Sequence, residues 1–567
     1  MTATNEENVK LGNLLFPNLD DTPSAGDPGY FEAKYPPRDL PEGAYVTRLG
    51  PSPTGFIHLG NLYTAFMNEK LANQTDGIVF LRIEDTDSKR EVEGAVEALI
   101  SALKHFGVSF DEGVLYDEDK NEIKESGNYG PYYQSDRTEI YHTFIRQLVL
   151  QGKAYPCFFT EDEIAEIRTG QESVKRTPGI YGEYAKYRDI RYDEAKKRID
   201  AGEKYVIRFK EVGSTEADAA DDVPAEIVDG IRGKITVPRN QLDVVLLKSD
   251  GVPTYHFAHA VDDHLMRTTH VIRGEEWISS LPIHVSLFHA LGFKLPTYCH
   301  STVLMKMDGE KKRKLSKRKD PELSLDYYRR EGYHPKAILE YLLTIMNSNF
   351  EEWRTANPGA QIEDFWMTTE KMGVSGILFD LEKLEAVSKD VLLHIPAEAL
   401  SDFLIHWANM YKPEAHSILA ADKQRLTKIL DIGRMGDKPR KDLAYAAQIF
   451  DFISYFYDPF FAIKDPYPEN TAGDVPALLS GYLQTYDHCD DRDVWFHKIR
   501  TLAEANGYAA KPKDFKQEPE KYKGHVGDVS AAIRIAIVGR ASSPDLYEIQ
   551  QIIGEAKVRE RLEVAAR

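Results

Sequence analysis

The sequence is poor in cysteine, in cationic side chains and in long apolar runs, and each shortage excludes a class of protein. Its three cysteines, Cys157, Cys299 and Cys489, are odd in number and far apart. They form neither a disulfide framework nor a Cys-x-x-Cys metal site, so we expect no structural zinc. No run of about 18 apolar residues occurs, so we expect no membrane span. The first 13 residues are acidic and carry no arginine, unlike a secretory or transit peptide, so we expect a cytoplasmic location.

The charge balance limits how the chain can bind nucleic acid. With 71 basic and 91 acidic residues the formal net charge is -20. This argues against a general nucleic-acid binder, because phosphate affinity comes from lysine and arginine. Charge is instead concentrated locally: residues 311–319 form a basic run, and residues 216–229 form an acidic one. The basic run is either a solvated loop or a loop that faces phosphate. A chain of 567 residues suggests three to five domains.

The stretch from Tyr45 to Gly60 reads as a β-branched strand, a Pro/Gly turn and the start of a helix. Backbone N–H groups and the positive end of a helix dipole make such a turn a phosphate cradle. His58 would lie at that end and bond a phosphate oxygen, and Gly60 would let a nucleotide base approach the backbone. Taken alone, the stretch also fits an ordinary strand-turn-helix corner with a surface histidine.

Two polar residues stand at the ends of predicted strands. Glu84 follows residues 78–83, and Arg273 ends residues 269–273. In a doubly wound fold, the carboxyl ends of such strands meet at the switch point where ligands bind. The polar residues 154–240 read as an α/β insertion between the two halves, and the strand at 242–247 is expected to resume the sheet. The run Asp262-Asp263-His264 could suggest a metal, but we expect turn and cap residues, because no further ligands follow at a suitable spacing.

The two motifs His58-x-Gly60 and Lys314-x-Ser316-Lys317 resemble the signature motifs of class I aminoacyl-tRNA synthetases. The sequence of residues 48–60 and 82–87 resembles that of the glutamyl-tRNA synthetase family in particular. The resemblance implies a Rossmann-like, doubly wound parallel-sheet catalytic domain split by an insertion and followed by an all-α region that binds the anticodon. The implied division is an irregular extension at 1–43, catalytic halves at 44–153 and 241–300, an acceptor-stem-binding insertion at 154–240, a signature-loop and stem-contact region at 301–390, and an anticodon-binding domain at 391–567.

The reaction implied by the resemblance is ATP-dependent ligation of glutamate to the 3′ end of tRNA(Glu) through a glutamyl-adenylate. The implied catalytic residues are His58, Lys314 and Lys317. The implied ATP-binding residues are Pro51, His58, Gly60, Asn61, Glu276, Ser316 and Lys317. The implied glutamate-binding residues are Arg48, Ser52, Glu84, Tyr255, His259 and Arg273. Mg²⁺ would arrive with ATP, no protein metal site is expected, and the chain would act as a monomer.

The sequence departs from the family pattern at two positions: His259 stands where many members have asparagine, and Gly50 replaces a common alanine. His259 is therefore either a substrate contact or a core histidine. Four other functions stay open: an enzyme that also charges tRNA(Gln), a glutaminyl-tRNA synthetase, a synthetase that glutamylates a modified base, and an inactive tRNA-binding protein. The long helical C-terminal part and the intact 314–318 motif argue against the modified-base enzyme. The presence of His58, Gly60, Ser316 and Lys317 argues against the inactive protein.

Overall fold

The computed structural model describes residues 5–19, 26–87, 91–117, 120, 122–211, 225–434 and 439–567. Residues 20–25 of the extension and 216–224 of the acidic run lie outside these ranges. The chain divides into two compact units, Met1–Leu325 with Leu342–Asp380, and Asp326–Tyr341 with Leu381–Arg567. The finer six-part division stays a prediction. Among the described residues, no helix is both long and apolar enough to cross a membrane.

The N-terminal extension, predicted to be irregular, contains two helices. They are α1 (Asn5–Leu15) and α2 (Pro28–Lys34). Leu11, Leu15 and Phe16 are buried. Asp27 starts α2 by accepting a hydrogen bond from the Gly29 backbone N–H at 2.9 Å.

The first catalytic half is a strand-helix-strand layer. Its elements are β1 (Val46–Leu49), α3 (Leu59–Asn73), β2 (Ile78–Leu81), α4 (Ala95–His105), β3 (Glu112–Asp117), β4 (Glu122–Ser126) and α5 (Thr138–Leu150). Strands β1, β2 and β3 pair in parallel, and β4 is antiparallel at the edge. All four residues of β1 are buried, as expected of a parallel strand covered on both faces.

The insertion carries two antiparallel sheets. Its elements are β5 (Ala154–Cys157), α6 (Glu161–Ser173), α7 (Tyr192–Asp200), β6 (Val206–Phe209), β7 (Ala225–Asp229), β8 (Gly233–Val237) and β9 (Val245–Leu247). β5, β6 and β9 form one sheet, and β7 and β8 form a hairpin. The prediction that residues 242–247 resume the central sheet is wrong, because β9 pairs with β6. A short apolar run does not encode which sheet it joins.

The second half returns to the parallel sheet. It begins with α8 (Tyr255–Leu265), β10 (His270–Gly274), α9 (Leu281–Leu291) and β11 (Thr297–Ser301), and continues with β12 (Leu304–Asp308), β13 (Lys311–Lys314), α10 (Leu325–Glu331), α11 (Pro335–Met346), α12 (Phe350–Ala356) and β14 (Ile377–Leu378). The Thr269 N–H donates to the Val46 carbonyl at 3.0 Å, so β10 starts beside β1. β10 and β11 pair in parallel.

The second unit is helical, which confirms the predicted all-α region. Besides most of α10 and the first part of α11, it contains α13 (Leu381–His394), α14 (Ala397–Tyr411), α15 (Pro413–Ala421), α16 (Lys423–Asp431), α17 (Ala446–Ile453), α18 (Val475–Thr485), α19 (Arg492–Ala505), α20 (Pro512–Gln517), α21 (Val526–Val538), α22 (Leu546–Ile553) and α23 (Glu555–Ala565). Pro396 precedes α14, and Gly539 ends α21. Asp545 caps α22 by accepting from the Glu548 N–H at 3.0 Å.

Candidate active site

Three polar residues lie at the carboxyl ends of neighbouring strands in the first unit. Arg48 is in β1, Glu84 follows β2, and Arg273 is in β10. All three are buried, with exposed fractions of 4%, 8% and 5%. Burial raises the pKa of Tyr255, the Glu84 carboxylate raises it further, and Arg273 and Arg48 oppose these effects. The structure therefore places Arg48, Glu84 and Arg273 near enough to Tyr255 for their charges to affect its pKa.

Arg48 is held by a buried ionic cluster. Its Nε lies 3.2 Å from the Asp263 carboxylate, which also accepts a hydrogen bond from Arg82 Nη1 at 2.7 Å. Arg82 Nη2 in turn donates to Glu84 Oε1 at 2.9 Å. Asp262 continues the cluster through Arg137 Nε at 2.6 Å. Buried charges of this kind are tolerated because each has an opposite partner.

The two aspartates are not turn and cap residues, so that prediction is wrong. Asp262 and Asp263 lie inside α8, buried to 0% and 1% exposure. The apolar residues 257, 258, 261 and 265 follow a helical spacing that would have placed both aspartates in a helix. No group of three metal-ligating side chains occurs among the residues that the structure describes. Sequence reasoning thus missed the contribution of Asp263 and Arg82 to the site.

Gly50 accommodates the Glu84 carboxylate. A β-carbon at Gly50 would collide with Glu84 Oε1 in this arrangement. The Glu84 backbone N–H donates to the Pro51 carbonyl at 3.0 Å, which ties the end of β2 to the turn after β1. Burial raises the pKa of Glu84, although Arg82 and Arg48 favour its ionised form. Glycine at position 50 therefore leaves the space that the Glu84 carboxylate occupies.

Arg273 is a buried cation without a carboxylate partner in the described part of the chain. Its Nε donates to His300 Nε2 at 3.0 Å, and its Nη1 to His284 Nδ1 at 3.2 Å. Its guanidinium lies 4.7 Å from the ring centre of Tyr298. Within the same described residues, its buried Nη2 has no hydrogen-bond partner. Such a group is suited to an anionic ligand.

Tyr255 and His259 occupy successive turns of α8. Tyr255 packs on Trp277, with ring centres 4.5 Å apart, and Trp277 was not singled out from the sequence. His259 is fully buried; its Nδ1 lies 2.7 Å from Asp263 and its Nε2 3.1 Å from the Tyr298 hydroxyl. Burial lowers the pKa of His259 to about 4, against the opposing effect of Asp263. These contacts favour the core-histidine interpretation of His259.

The predicted phosphate turn forms a small cavity. Residues 51–58 line about 170 Å³ together with Asn61, Ile83 and the start of α4. His58 precedes α3; its backbone N–H donates to Asn61 Oδ1 at 3.0 Å, and its Nδ1 is buried. Burial lowers the pKa of His58, Lys314 lowers it further, and Glu276 opposes them. The charges of Lys314 and Glu276 thus act on His58, and Ser52 is exposed.

The basic run is only partly a loop. Lys311–Lys314 is the strand β13, which pairs antiparallel with β12. Arg313 forms a bidentate ion pair with Asp320 at 2.6 and 2.8 Å, and the Ser316 N–H donates to the same carboxylate at 2.8 Å. Lys317 Nζ lies 4.1 Å from the ring centre of Phe56, which neighbours His58. The hairpin thus places the second motif against the first.

Comparisons with known proteins agree with this geometry. A profile described as "tRNA synthetases class I (E and Q), catalytic domain" matches residues 44–385, and one described as "Anticodon binding domain" matches residues 397–566. The chain is 55% identical to the glutamate–tRNA ligase of Acetivibrio thermocellus over 98% of this chain and 99% of that protein. It is 47% identical to the glutamate–tRNA ligase of Clostridium perfringens, over 97% and 99% of the two chains.

A solved structure also matches. The glutamate tRNA ligase of Elizabethkingia meningosepticum, in complex with its amino acid, superposes with a TM-score of 0.70 at 27% identity, over 92% of this chain and 99% of that one. Both halves of the chain are matched by family profiles, and the similar proteins span nearly its whole length. The chain therefore belongs to the glutamate–tRNA ligase family of class I aminoacyl-tRNA synthetases.

Proposed function

We propose that the chain ligates L-glutamate to the 3′ end of tRNA(Glu) in two steps. The glutamate α-carboxylate attacks the α-phosphate of ATP, so that a C–O–P bond forms and pyrophosphate leaves. A ribose hydroxyl of the tRNA end then attacks the acyl carbon and releases AMP. Neither step needs a nucleophile from the protein, so the residues act by positioning and by stabilising charge. Family membership supports this reaction.

The observation that carries the proposal is the buried Arg273 guanidinium. A buried cation is costly unless an anion or a set of acceptors compensates it. Its described contacts are neutral acceptors, and its Nη2 is left for a ligand. L-glutamate has two carboxylates and one ammonium. Arg48 and Arg273 are suited to the carboxylates, and Glu84 is suited to the ammonium.

The same geometry supports discrimination against glutamine. Glutamine carries a neutral amide in place of one carboxylate. A buried arginine that faced this amide would lose its anionic partner, which costs a few kcal/mol, or about 10²-fold or more in specificity. We therefore expect glutamate, not glutamine, to support activation.

The ATP side of the proposal uses the turn and the hairpin. His58, Gly60 and Asn61 lie at the start of α3, where backbone N–H groups and the helix dipole favour phosphate. Pro51 lines the adjoining cavity, and Glu276 lies near His58. Ser316, Lys314 and Lys317 come from the hairpin segment, and exposed Lys317 is suited to neutralise the leaving phosphates. ATP would enter as its Mg²⁺ complex, with Mg²⁺ held chiefly by phosphates and water.

Aminoacylation with purified components tests the proposal. The chain should form glutamyl-tRNA from L-glutamate, ATP, Mg²⁺ and tRNA(Glu), and should use glutamine at least 10²-fold less well. Arg273→Ala should raise the glutamate KM, whereas Arg168→Ala, which alters an exposed arginine of α6, should leave the glutamate KM unchanged. No product from the wild-type chain, or equal use of both amino acids, would refute the proposal.

The partner set beyond tRNA(Glu) is part of the same proposal. Charging of tRNA(Gln) depends on side chains that contact anticodon bases, and single-stranded RNA readout has no fixed sequence spacing. A parallel reaction with tRNA(Gln) decides between a discriminating and a non-discriminating enzyme. Sedimentation of the purified chain checks the predicted monomer, and fractionation of cells checks the predicted cytoplasmic location.

A further inference from the structure

Two histidines take up two of the three nitrogen atoms of the Arg273 guanidinium. His300 Nε2, on β11, accepts from Nε at 3.0 Å, and His284 Nδ1, on α9, accepts from Nη1 at 3.2 Å. Both histidines have an exposed fraction of 0%. The two contacts fix the plane of the guanidinium and leave Nη2 as the nitrogen without a partner among the described residues.

The proton of His300 is placed by an aspartate of the insertion. His300 Nδ1 lies 2.6 Å from Asp229 Oδ2, and an ionised carboxylate only accepts hydrogen bonds. Nδ1 therefore carries the proton, and Nε2 keeps the lone pair that Arg273 needs. Asp229 is itself fixed by the backbone N–H groups of Ile231 and Arg232, each at 2.9 Å. The end of β7 thus orients a residue of the central sheet.

The position of the proton on His284 follows from the same reasoning about donors and acceptors. Because its Nδ1 accepts from Arg273, its Nε2 must carry the proton, and this nitrogen lies 3.0 Å from His256 Nδ1. Burial lowers the pKa of both His284 and His300, which keeps the two rings neutral at pH 7. Protonating either ring would remove an acceptor and add a positive charge beside Arg273.

We propose that His300, oriented by Asp229, and His284, oriented by His256, are positioning residues that aim the Arg273 guanidinium at a carboxylate of L-glutamate. This inference rests on the proposed function. A carboxylate in place of either histidine would also hold Arg273, but it would neutralise the charge that the substrate must meet. A neutral imidazole holds the guanidinium in place and leaves the positive charge of Arg273 available to the substrate carboxylate.

The proposal also predicts a pH dependence of glutamate binding. The glutamate KM should be constant above about pH 6.5 and rise below it, because both histidine pKa values are lowered and a protonated imidazole no longer accepts from Arg273. The titratable and charged groups that face the two histidines come from four elements: Asp229 and Arg232 from the β7–β8 hairpin; Tyr255, His256, His259 and Asp263 from α8; Arg273 from β10; and Tyr298 from β11. None of the other groups in this set replaces the acceptor that Arg273 would lose.

Substitutions at the two histidines test the proposal by steady-state pyrophosphate exchange between about pH 5 and 8, a range that extends below the usual histidine pKa. His300→Ala should raise the glutamate KM about tenfold or more, with kcat changed less than about threefold and the KM for ATP unchanged. His300→Gln should recover most of the loss, because its Oε1 can accept from Arg273 Nε, and its glutamate KM should vary less with pH. His284→Asn should likewise outperform His284→Ala, since Oδ1 takes the place of Nδ1. His289→Ala, an exposed position on α9, is the matched control and should behave as wild type.

Two results separate this inference from the proposed function. If the wild-type chain makes glutamyl-tRNA but His300→Ala and His284→Ala leave the glutamate KM unchanged, the positioning role is overturned alone. The positioning role is also overturned if both alanine variants damage the ATP and glutamate parameters equally and the glutamine and asparagine variants rescue nothing. A wild-type chain that makes no glutamyl-tRNA overturns the proposed function and this inference with it.

Discussion

Replacing Asp263 by asparagine should destabilise the first unit more than any surface substitution. The Asp263 carboxylate is 1% exposed and contacts Arg82 Nη1 at 2.7 Å, Arg48 Nε at 3.2 Å and His259 Nδ1 at 2.7 Å. Burial alone would raise the pKa of Asp263, but Arg48 and Arg82 outweigh it and hold the pKa well below its usual range. The carboxylate is therefore ionised at pH 7, and the substitution removes a full charge.

The magnitude follows from the charge balance of the cluster. In the wild-type chain, three arginines (48, 82 and 137) face three carboxylates (84, 262 and 263). Asp263→Asn leaves one guanidinium charge in excess in a dry interior. Removing one partner of a buried ion pair costs about 3–5 kcal/mol. Arg48 also loses its anchor, so we expect the glutamate KM to rise as well.

Hydrogen exchange measured by mass spectrometry can assign the loss to the first unit. Amides of β1, β2 and α8 should exchange about 10²–10³-fold faster in Asp263→Asn, because each 1.4 kcal/mol of opening free energy is about tenfold in the opening equilibrium. Glu194→Gln, which breaks an exposed pair with Arg198 on α7, is the control and should cost about 0.5 kcal/mol or less. A change below about fivefold in Asp263→Asn would refute the buried-cluster reasoning.

Three further outcomes follow from single residues. Lys317→Ala should slow glutamate-dependent pyrophosphate exchange about 10²–10³-fold at saturating substrates, and Lys319→Ala should not. Arg313 lowers the pKa of Asp320 to about 2, so this carboxylate should hold the segment from pH 7 to about 4 and release it as the pH falls towards 2. Asp320→Asn should mimic that release at pH 7.5, seen as several-fold faster trypsin cleavage within residues 314–319. Burial lowers the pKa of His259 to about 4, so its contribution to stability is complete above about pH 6.5 and declines by about 1.4 kcal/mol per pH unit towards pH 4. His259→Asn should remove that decline in urea unfolding at pH 7.5 and 5.5, and an unchanged slope would contradict it.

The strand ends could be predicted from the sequence because they combine a buried strand with a polar terminus. Glu84 and Arg273 each follow a run of apolar, β-branched residues, and parallel strands end at one edge of the sheet. The turn that carries His58 could be predicted for a similar reason, since Pro and Gly interrupt a strand just before a helix. Local pattern and general topology were sufficient for these placements.

The residues that orient the site could not be predicted in the same way. Asp229 and His300 are 71 positions apart and meet only because the β7–β8 hairpin packs against β11. No spacing in the sequence encodes that contact. The pairing of β9 with β6 could not be predicted for the same reason, because an apolar run does not specify its partner strand. A short acidic pair is typical of turns, which favours a turn at Asp263, whereas the apolar spacing on both sides of the pair is that of a helix.

A crystal structure with L-glutamate and a non-hydrolysable ATP analogue would test the proposed pocket at atomic detail. We expect one carboxylate of glutamate within about 3 Å of Arg273 Nη2, the ammonium beside Glu84, and the α-carboxylate facing the α-phosphate near His58. Glutamate bound away from Arg273, with Nη2 still unpaired, would contradict the pocket and the reaction derived from it.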